Sequence, residues 1–226
     1  MIQEIFEGVY TVQIEGYGEQ LATRNLVPGV KAYGERLLKH GSIELRVWDP
    51  FRSKLAAALK KELKLLPLKK ESRVLYLGAA AGTTVSHVSD IVDEKGVVFA
   101  VEFSARSMRE LMIVCEPRKN VIPILADARF PLSYRGYVDS VDVLYVDVAQ
   151  PDQAQIAVEN SKYYLKKNGW VLLSVKSRSV DVAAEPSKVY AQQKAVLIEN
   201  GFEITCETNL SPYEKDHEFV VAKAGS

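Results

Sequence analysis

The chain has 226 residues, 47% of them hydrophobic and 26% charged, which is enough apolar material for one good-sized core. No apolar run approaches the roughly 18 consecutive residues of a membrane-spanning helix, and MIQEIFEGVYTV lacks the basic-then-apolar profile of a signal peptide, so no membrane partner and a cytoplasmic location are expected. Lys+Arg and Asp+Glu each total 29, so the whole-chain field is too weak to concentrate the protein on a polyanion, and any nucleic acid it acts on is expected to be delivered by partners.

In chain order, the first stretch mixes β-prone residues such as Gly8-Val9-Tyr10-Thr11-Val12-Gln13-Ile14 with glycines at 8, 16, 18, 29, 34 and 41. That pattern predicts a small twisted sheet with turns, forming a minor N-terminal domain over residues 1–48 and leaving 49–226 as the main domain. FRSKLAAALKKELKLL follows, with Phe51, Leu55, Leu59 and Leu63 at helical spacing and lysines between them, predicting an amphipathic helix that ends near Pro67. From Arg73 onward, apolar β-branched strands alternate with helices: RVLYLG, TTVSHVSDIVD, VVFAVEF, SARSMRELMIVCE, VIPILAD, VDVLYVDV, PDQAQIAVENSKYYLKK, GWVLLSVKS, EPSKVYAQQKAVLIENG, FEITCETNL and HEFVVAKA. Such alternation predicts an α/β fold: a seven-stranded, mostly parallel sheet with helices on both faces, its last two strands pairing as an edge hairpin. Cys115 and Cys206 have no metal-like spacing and read as small core residues, and no metal site is expected.

Two sets of residues carry chemistry. The first is Leu75-Tyr76-Leu77-Gly78-Ala79-Ala80-Ala81-Gly82-Thr83-Thr84, where a buried strand should turn into a helix. Gly78 and Gly82 would permit a tight turn and close approach of a ligand, while free amides at the helix start face a polar group. The spacing is not the G-x-G-x-x-G of a dinucleotide site, and taken alone it also suits a purely structural turn. Glu102 ends the second strand of this series, where an acidic side chain could accept both ribose hydroxyls of a nucleoside; Phe103 could lie against the adenine, and Asp127-Ala128 could meet its exocyclic amine. A single acidic residue at a strand end usually caps a solvated loop, but several at successive carboxyl ends stand where open α/β sheets bind ligands.

The second set is Lys54, Asp147 and Lys176, one ahead of the first strand and two at the ends of the fourth and fifth. Methyl transfer to a hydroxyl needs that oxygen in line and its proton removed. Lys176 is expected to act as base or hydroxyl-orienting group, with Lys54 tuning the field and Asp147 positioning both. Burial and a neighbouring ammonium would lower the Lys176 pKa while Asp147 would raise it, and the balance is left open. Lysines normally sit on solvated surfaces, which is the plain alternative for Lys54.

These residues sit in segments that resemble the fibrillarin family in order and spacing: WDPFRSKLA, LYLGAAAGTTVSHVSDIV, VEFSARSMRELM, ILADAR, YVDVAQPDQAQI, SVKSRSVD and PYEKDH. The resemblance spans nearly the whole chain, and GAAAGTTVSH and DVAQPDQ are its most specific pieces. With no glycine- and arginine-rich extension before it, the chain resembles archaeal members. The resemblance implies a Rossmann-like class I methyltransferase fold and guide-directed methylation of ribose 2′-hydroxyls in pre-rRNA and tRNA. It implies S-adenosyl-L-methionine contacts at Thr83, Thr84, Glu102, Phe103, Asp127, Ala128, Asp147, Val148, Ala149 and Gln150, alongside the Gly78, Ala79 and Gly82 turn, and a Lys54-Asp147-Lys176 catalytic set. Asp216 or His217 is the possible fourth member. Partners implied are a Nop-domain scaffold protein, a kink-turn-binding protein of the ribosomal type, a box C/D guide RNA and the target rRNA or tRNA. Arg52, Lys54, Arg129, Arg135, Lys176 and Arg178 are candidate phosphate contacts. A small-molecule O-methyltransferase and a non-catalytic assembly subunit are the competing readings.

Overall fold

The computed structural model describes residues 2–225. Strands β1 (Ile2–Phe6), β2 (Val9–Ile14), β3 (Gly18–Arg24), β4 (Leu37–His40) and β5 (Ile43–Trp48) form an antiparallel sheet in the order β1-β2-β3-β5-β4. One face of it carries its own small cluster of Val12, Ala22 and Leu45. Val9, Leu21 and Trp48 instead enter the core of the rest of the chain, with Leu21 and Trp48 opposite each other across β3 and β5.

Helix α1 (Lys54–Lys60) is much shorter than its apolar periodicity predicts. Ser53 caps its start by accepting from the Ala56 amide. At its end Glu62 adopts φ 59°, and the Glu62 and Leu63 amides donate back to the Leu59 and Ala58 carbonyls. This is a Schellman stop without the usual glycine. It lets Leu63 turn into the core as a loop residue, while Phe51, the first apolar position of the predicted stripe, is 65% exposed.

The main sheet is built from β6 (Arg73–Leu77), β7 (Val97–Glu102), β8 (Val121–Leu125), β9 (Val141–Val146), β10 (Leu165–Lys176), β11 (Phe202–Asn209) and β12 (His217–Ala224), with α2 (Thr83–Val92), α3 (Ala105–Cys115), α4 (Gln153–Tyr164), α5 (Ser177–Val180) and α6 (Pro186–Glu199) between them. Its order is β11-β12-β10-β9-β6-β7-β8. The terminal hairpin lies at an edge as expected, with β12 antiparallel to both neighbours. Period-two patterning sends Val74 and Tyr76 into one core with α1, α2 and α3, and Leu75 and Leu77 into another with α4 and α6. The fold is the Rossmann-like α/β architecture of class I methyltransferases. One boundary differs: α4 stops at Tyr164, and Leu165–Gly169, expected to be helical to Lys167, join β10 ahead of a register shift against β9. Cys115 is buried as expected, and Cys206 is only half-buried against the core.

A buried polar seam ties the N-terminal sheet to α2. The Arg46 guanidinium meets Glu35 at 2.7 Å and Asp90 at 3.2 Å, and Arg118 reaches Asp90 at 2.7 Å. His87 is stacked on Trp48 and bridges Thr23, 2.7 Å from Nδ1, and the Tyr33 hydroxyl, 2.8 Å from Nε2. Thr23 donates onward to Asp90, so its oxygen is free to accept only if Nδ1 of His87 carries the hydrogen. Burial first, then the positive charges of Arg46 and Arg118, push the His87 pKa well below the ordinary histidine value, keeping the ring neutral.

Candidate active site

The carboxyl ends of β6, β7, β8 and β9 open onto a cavity of about 380 Å³. Sheet geometry explains the position: the chain diverges from β6 toward opposite sides here, leaving a crevice beyond the strand ends. Gly78 turns the chain out of β6 at φ 82°, and a Cβ there would stand 2.5 Å from the Asp147 carbonyl oxygen, so only glycine lets β6 and β9 end side by side. Gly82, at φ 88°, starts α2, and a Cβ would strike Leu111 at 2.8 Å. Gly82 thus lets α2 pack closely on α3, and it stands with Ala79, Thr83 and Thr84 on the loop and helix start next to Gly78 and Ala80, which line the cavity.

Glu102 ends β7 nearly buried, its two carboxylate oxygens accepting from the Ala80 amide at 2.9 Å and the Ser104 amide at 2.8 Å. Backbone donors thus hold an acidic group rigidly at the cavity wall. Phe103 beside it is 68% exposed, an apolar ring facing space that nothing in the chain fills. Asp127, Ala128, Val148, Ala149 and Gln150 also line the cavity, as do Ala80 and Ser104 beside Glu102 and Ile156 of α4, which the sequence did not single out. Asp127 is already engaged: Arg129 donates to it from its amide and its guanidinium, at 2.6 Å for the shortest contact. Those hydrogen bonds hold the Asp127 carboxyl below the usual carboxylate range.

At one end of the cavity stands the charge cluster. Asp147 Oδ2 is 3.1 Å from Lys54 Nζ, and Asp147 Oδ1 is 3.6 Å from Lys176 Nζ, with all three side chains only 12–21% exposed. Oδ1 is buried and accepts no hydrogen bond within the chain. That leaves a carboxylate oxygen beside Lys176 with acceptor capacity unspent. Burial alone would lower the Lys54 pKa, but the charge and hydrogen bond of Asp147 outweigh it and raise it, so Lys54 is an ammonium at neutral pH.

Three further residues surround this cluster: Gln153, which the sequence did not single out, and Thr84 and His217, which it did. Gln153 clamps the Lys176 backbone from both sides, donating to its carbonyl at 3.0 Å and accepting from its amide at 2.9 Å. Thr84 donates to Ser53 at 2.9 Å, tying α2 to the cap of the helix that presents Lys54. His217 lies opposite Lys176 in the β10–β12 register. Its Nδ1 donates to the Lys215 carbonyl at 2.6 Å, leaving a buried, unpartnered Nε2. Burial, with Lys54 and Lys176 acting the same way, lowers the His217 pKa against the opposing Lys215 carbonyl and Glu214. Asp216 points away, its carboxylate 3.0 Å from Arg178. Of the signals in the sequence, the motif containing Gln153 was visible, but the direction of its side chain was not.

Strand order, cavity and lysine–carboxylate cluster together define a class I methyltransferase type of site. The fibrillarin family model matches residues 1–226, and the chain belongs to that family. A fibrillarin-like rRNA/tRNA 2′-O-methyltransferase of Methanococcus maripaludis is 51% identical over 220 residues, covering 97% of this chain and 95% of the relative. Aeropyrum pernix fibrillarin, solved with natively bound S-adenosyl-L-methionine, superposes with a TM-score of 0.89 at 46% identity, over 98% of this chain and 99% of that one. A fibrillarin solved in complex with Nop5p gives a TM-score of 0.85 at 40% identity, over 97% and 99% of the two chains.

Proposed function

We propose that this chain is an S-adenosyl-L-methionine-dependent RNA 2′-O-methyltransferase that acts on pre-rRNA and tRNA as the catalytic subunit of a box C/D guide ribonucleoprotein. The observation that carries the reading is Asp147 held between Lys54 and Lys176 with one buried oxygen unspent, at the end of a cavity walled by Glu102 and Phe103. The residues fit a nucleoside cofactor: a rigid acceptor for ribose hydroxyls in Glu102, an exposed ring in Phe103, and small Ala128 and Ala149 where a base needs room. Asp127, both of whose oxygens Arg129 holds, would reach the base amine with a remaining lone pair. Bound there, the cofactor supplies an electrophilic methyl group.

The chain's own residues do the remaining work. Asp147 Oδ1 and the Lys176 ammonium or amine bracket the incoming ribose hydroxyl and aim its oxygen along the cavity axis. Lys54 stays charged and fixes Asp147, which holds both lysines in register. The hydroxyl proton leaves along Lys176, with the buried, unpartnered His217 Nε2 on the adjoining strand as a further acceptor. In the assembly, a Nop-domain scaffold carries the subunit, a kink-turn-binding protein fixes the guide, and base pairing selects the nucleotide. We assign residues 1–48 and 49–226 as its two domains.

The test is methyl transfer from labelled cofactor to a target RNA, with and without scaffold, kink-turn protein and matching guide, mapped by primer extension sensitive to 2′-O-methylation. One guide-directed mark is expected, with a loss of at least about 100-fold in Lys176→Ala while cofactor affinity stays within a few-fold. No transfer by the complete assembly, despite measured cofactor binding, would refute the reading.

A further inference from the structure

A second cavity, of about 360 Å³, lies on the N-terminal sheet and runs to the residues just ahead of Lys54. Two arginines dominate it. The Arg36 guanidinium lies 4.1 Å over the Tyr17 ring, and that of Arg52 lies 4.8 Å over the Tyr33 ring while donating to the Tyr33 carbonyl at 3.2 Å. Ring contact of this kind holds a guanidinium in place, and no side-chain acceptor takes up the N–H groups of either one among the described residues.

Their charge is uncompensated, as is that of Arg24, Arg106, Arg109 and Arg135 among the described residues; what sets these two apart is that both line one groove, each seated on a tyrosine ring. Arg73, Arg118, Arg129 and Arg178 each sit on a carboxylate, whereas among the described residues neither Arg36 nor Arg52 has one within 4.0 Å. Of the two acids that line the groove, Glu35 is neutralised by Arg46 and also accepts from the Ala32 and Tyr33 amides, whereas Asp49, its Oδ1 accepting from the Phe51 amide, keeps its charge more than 4.0 Å from either guanidinium, so the two arginines leave the groove net positive. Tyr17, 64% exposed, adds a free aromatic face. Arg52 is two residues from Lys54, a step of chain spanning at most about 7 Å. A strand with its 2′-oxygen at Lys54 therefore brings neighbouring nucleotides to this groove.

We infer that the Tyr17–Arg36 and Tyr33–Arg52 stacks form an RNA-backbone site that grips phosphates of the guide–target pairing beside the methylated nucleotide. Forked, preorganised guanidiniums suit phosphate, and an adjoining exposed ring suits an unpaired base. The inference rests on the RNA reading of the active site and extends it to a surface outside the catalytic cleft.

In the assembled particle, Arg36→Ala is expected to raise the half-saturating target concentration about tenfold, keep the saturated rate within about twofold, and reduce the log–log salt slope of target binding by about 1. Arg36→Lys, which keeps charge without the fork, should fall between. Unchanged target affinity and salt slope in an Arg36→Ala particle that methylates normally would overturn the groove and leave the enzymatic reading intact. A second readout does not need activity: 4-thiouridine placed near the target nucleotide, in the guide or in the target strand, should crosslink to the segment containing Tyr17 or Tyr33 and show which strand is held. Crosslinks confined to other segments, or loss of RNA-free scaffold binding in Arg36→Ala, would assign the groove to a protein partner and overturn the proposal.

Discussion

Two clusters of charge lie in this molecule, built from similar residues and put to opposite uses. In the seam between the sheets, Arg46 and Arg118 face Glu35 and Asp90, at most 2% exposed, two positive charges against two negative. At the cavity, Lys54 and Lys176 share the one carboxylate of Asp147, partly open to solvent and with an acceptor oxygen unspent. A balanced, dry cluster locks parts together, because removing any member strands a charge in low dielectric. An unbalanced one at a cavity end keeps capacity for a substrate. The seam also leaves buried nitrogens without a hydrogen-bond partner, Arg46 Nη1 and Arg118 Nη2, so an unpartnered atom alone does not mark a site; what separates the clusters is charge balance and exposure.

The sharpest way to break the contrast is to remove the shared acid from each cluster. Asp90→Ala strands Arg46 and Arg118 and should cost about 3–5 kcal/mol of stability by urea denaturation, with the folded fraction retaining its methylation rate per molecule. Asp147→Ala should do the reverse, lowering single-turnover transfer by roughly 100- to 1,000-fold while unfolding at nearly the wild-type midpoint. If Asp90→Ala cost activity but not stability, the division of roles would be wrong.

Acid separates the clusters more gently. Because the folded-state pKa of His87 lies well below its ordinary value of 6.5, the unfolded chain takes up the proton first as pH falls. Stability from this residue is therefore complete above pH 6.5 and drains as pH drops from there toward the folded value. Urea midpoints measured between pH 7.5 and about 5 should show that slope, and His87→Asn should flatten it. The smallest expected effect is at the end of α1, where Glu62 holds a left-handed conformation that favours glycine. Glu62→Gly should raise stability by up to about 1 kcal/mol in the same assay, and a decrease would show that the Glu62 side chain itself matters.

The strands of the main sheet were legible because each is a short β-branched run bounded by turn residues, and the helices between them because their apolar spacing is regular. Helix α1 misled for a physical reason. Leu55, Leu59 and Leu63 share helical spacing, yet Leu63 is buried by a chain reversal after a left-handed Glu62, and burial alone does not distinguish the two routes. In the site, Glu102, Asp127, Asp147 and Lys176 stood out because strand ends are where open sheets bind ligands. Thr84 and Gly82 belong to the same motif, and their packing contacts were not legible in it: one ties to Ser53, the other clears Leu111. The seam of Arg46, His87 and Asp90 carried no local signal, since its members come from segments more than 40 residues apart in the chain.

By itself, then, the sequence determined what local periodicity and residue chemistry encode: the α/β class, the carboxyl-end acids, and the lysines and aspartate suited to transfer chemistry. Only the tertiary structure decided which side chains meet. It set Asp147 between two lysines, turned Gln153 onto the Lys176 backbone, left His217 with a free nitrogen, and stacked Arg36 and Arg52 on tyrosines without a carboxylate. The reason is that a pKa, an unspent acceptor or an unpaired charge depends on distances of a few ångströms between residues far apart in the chain, and those distances exist only once the sheets have packed.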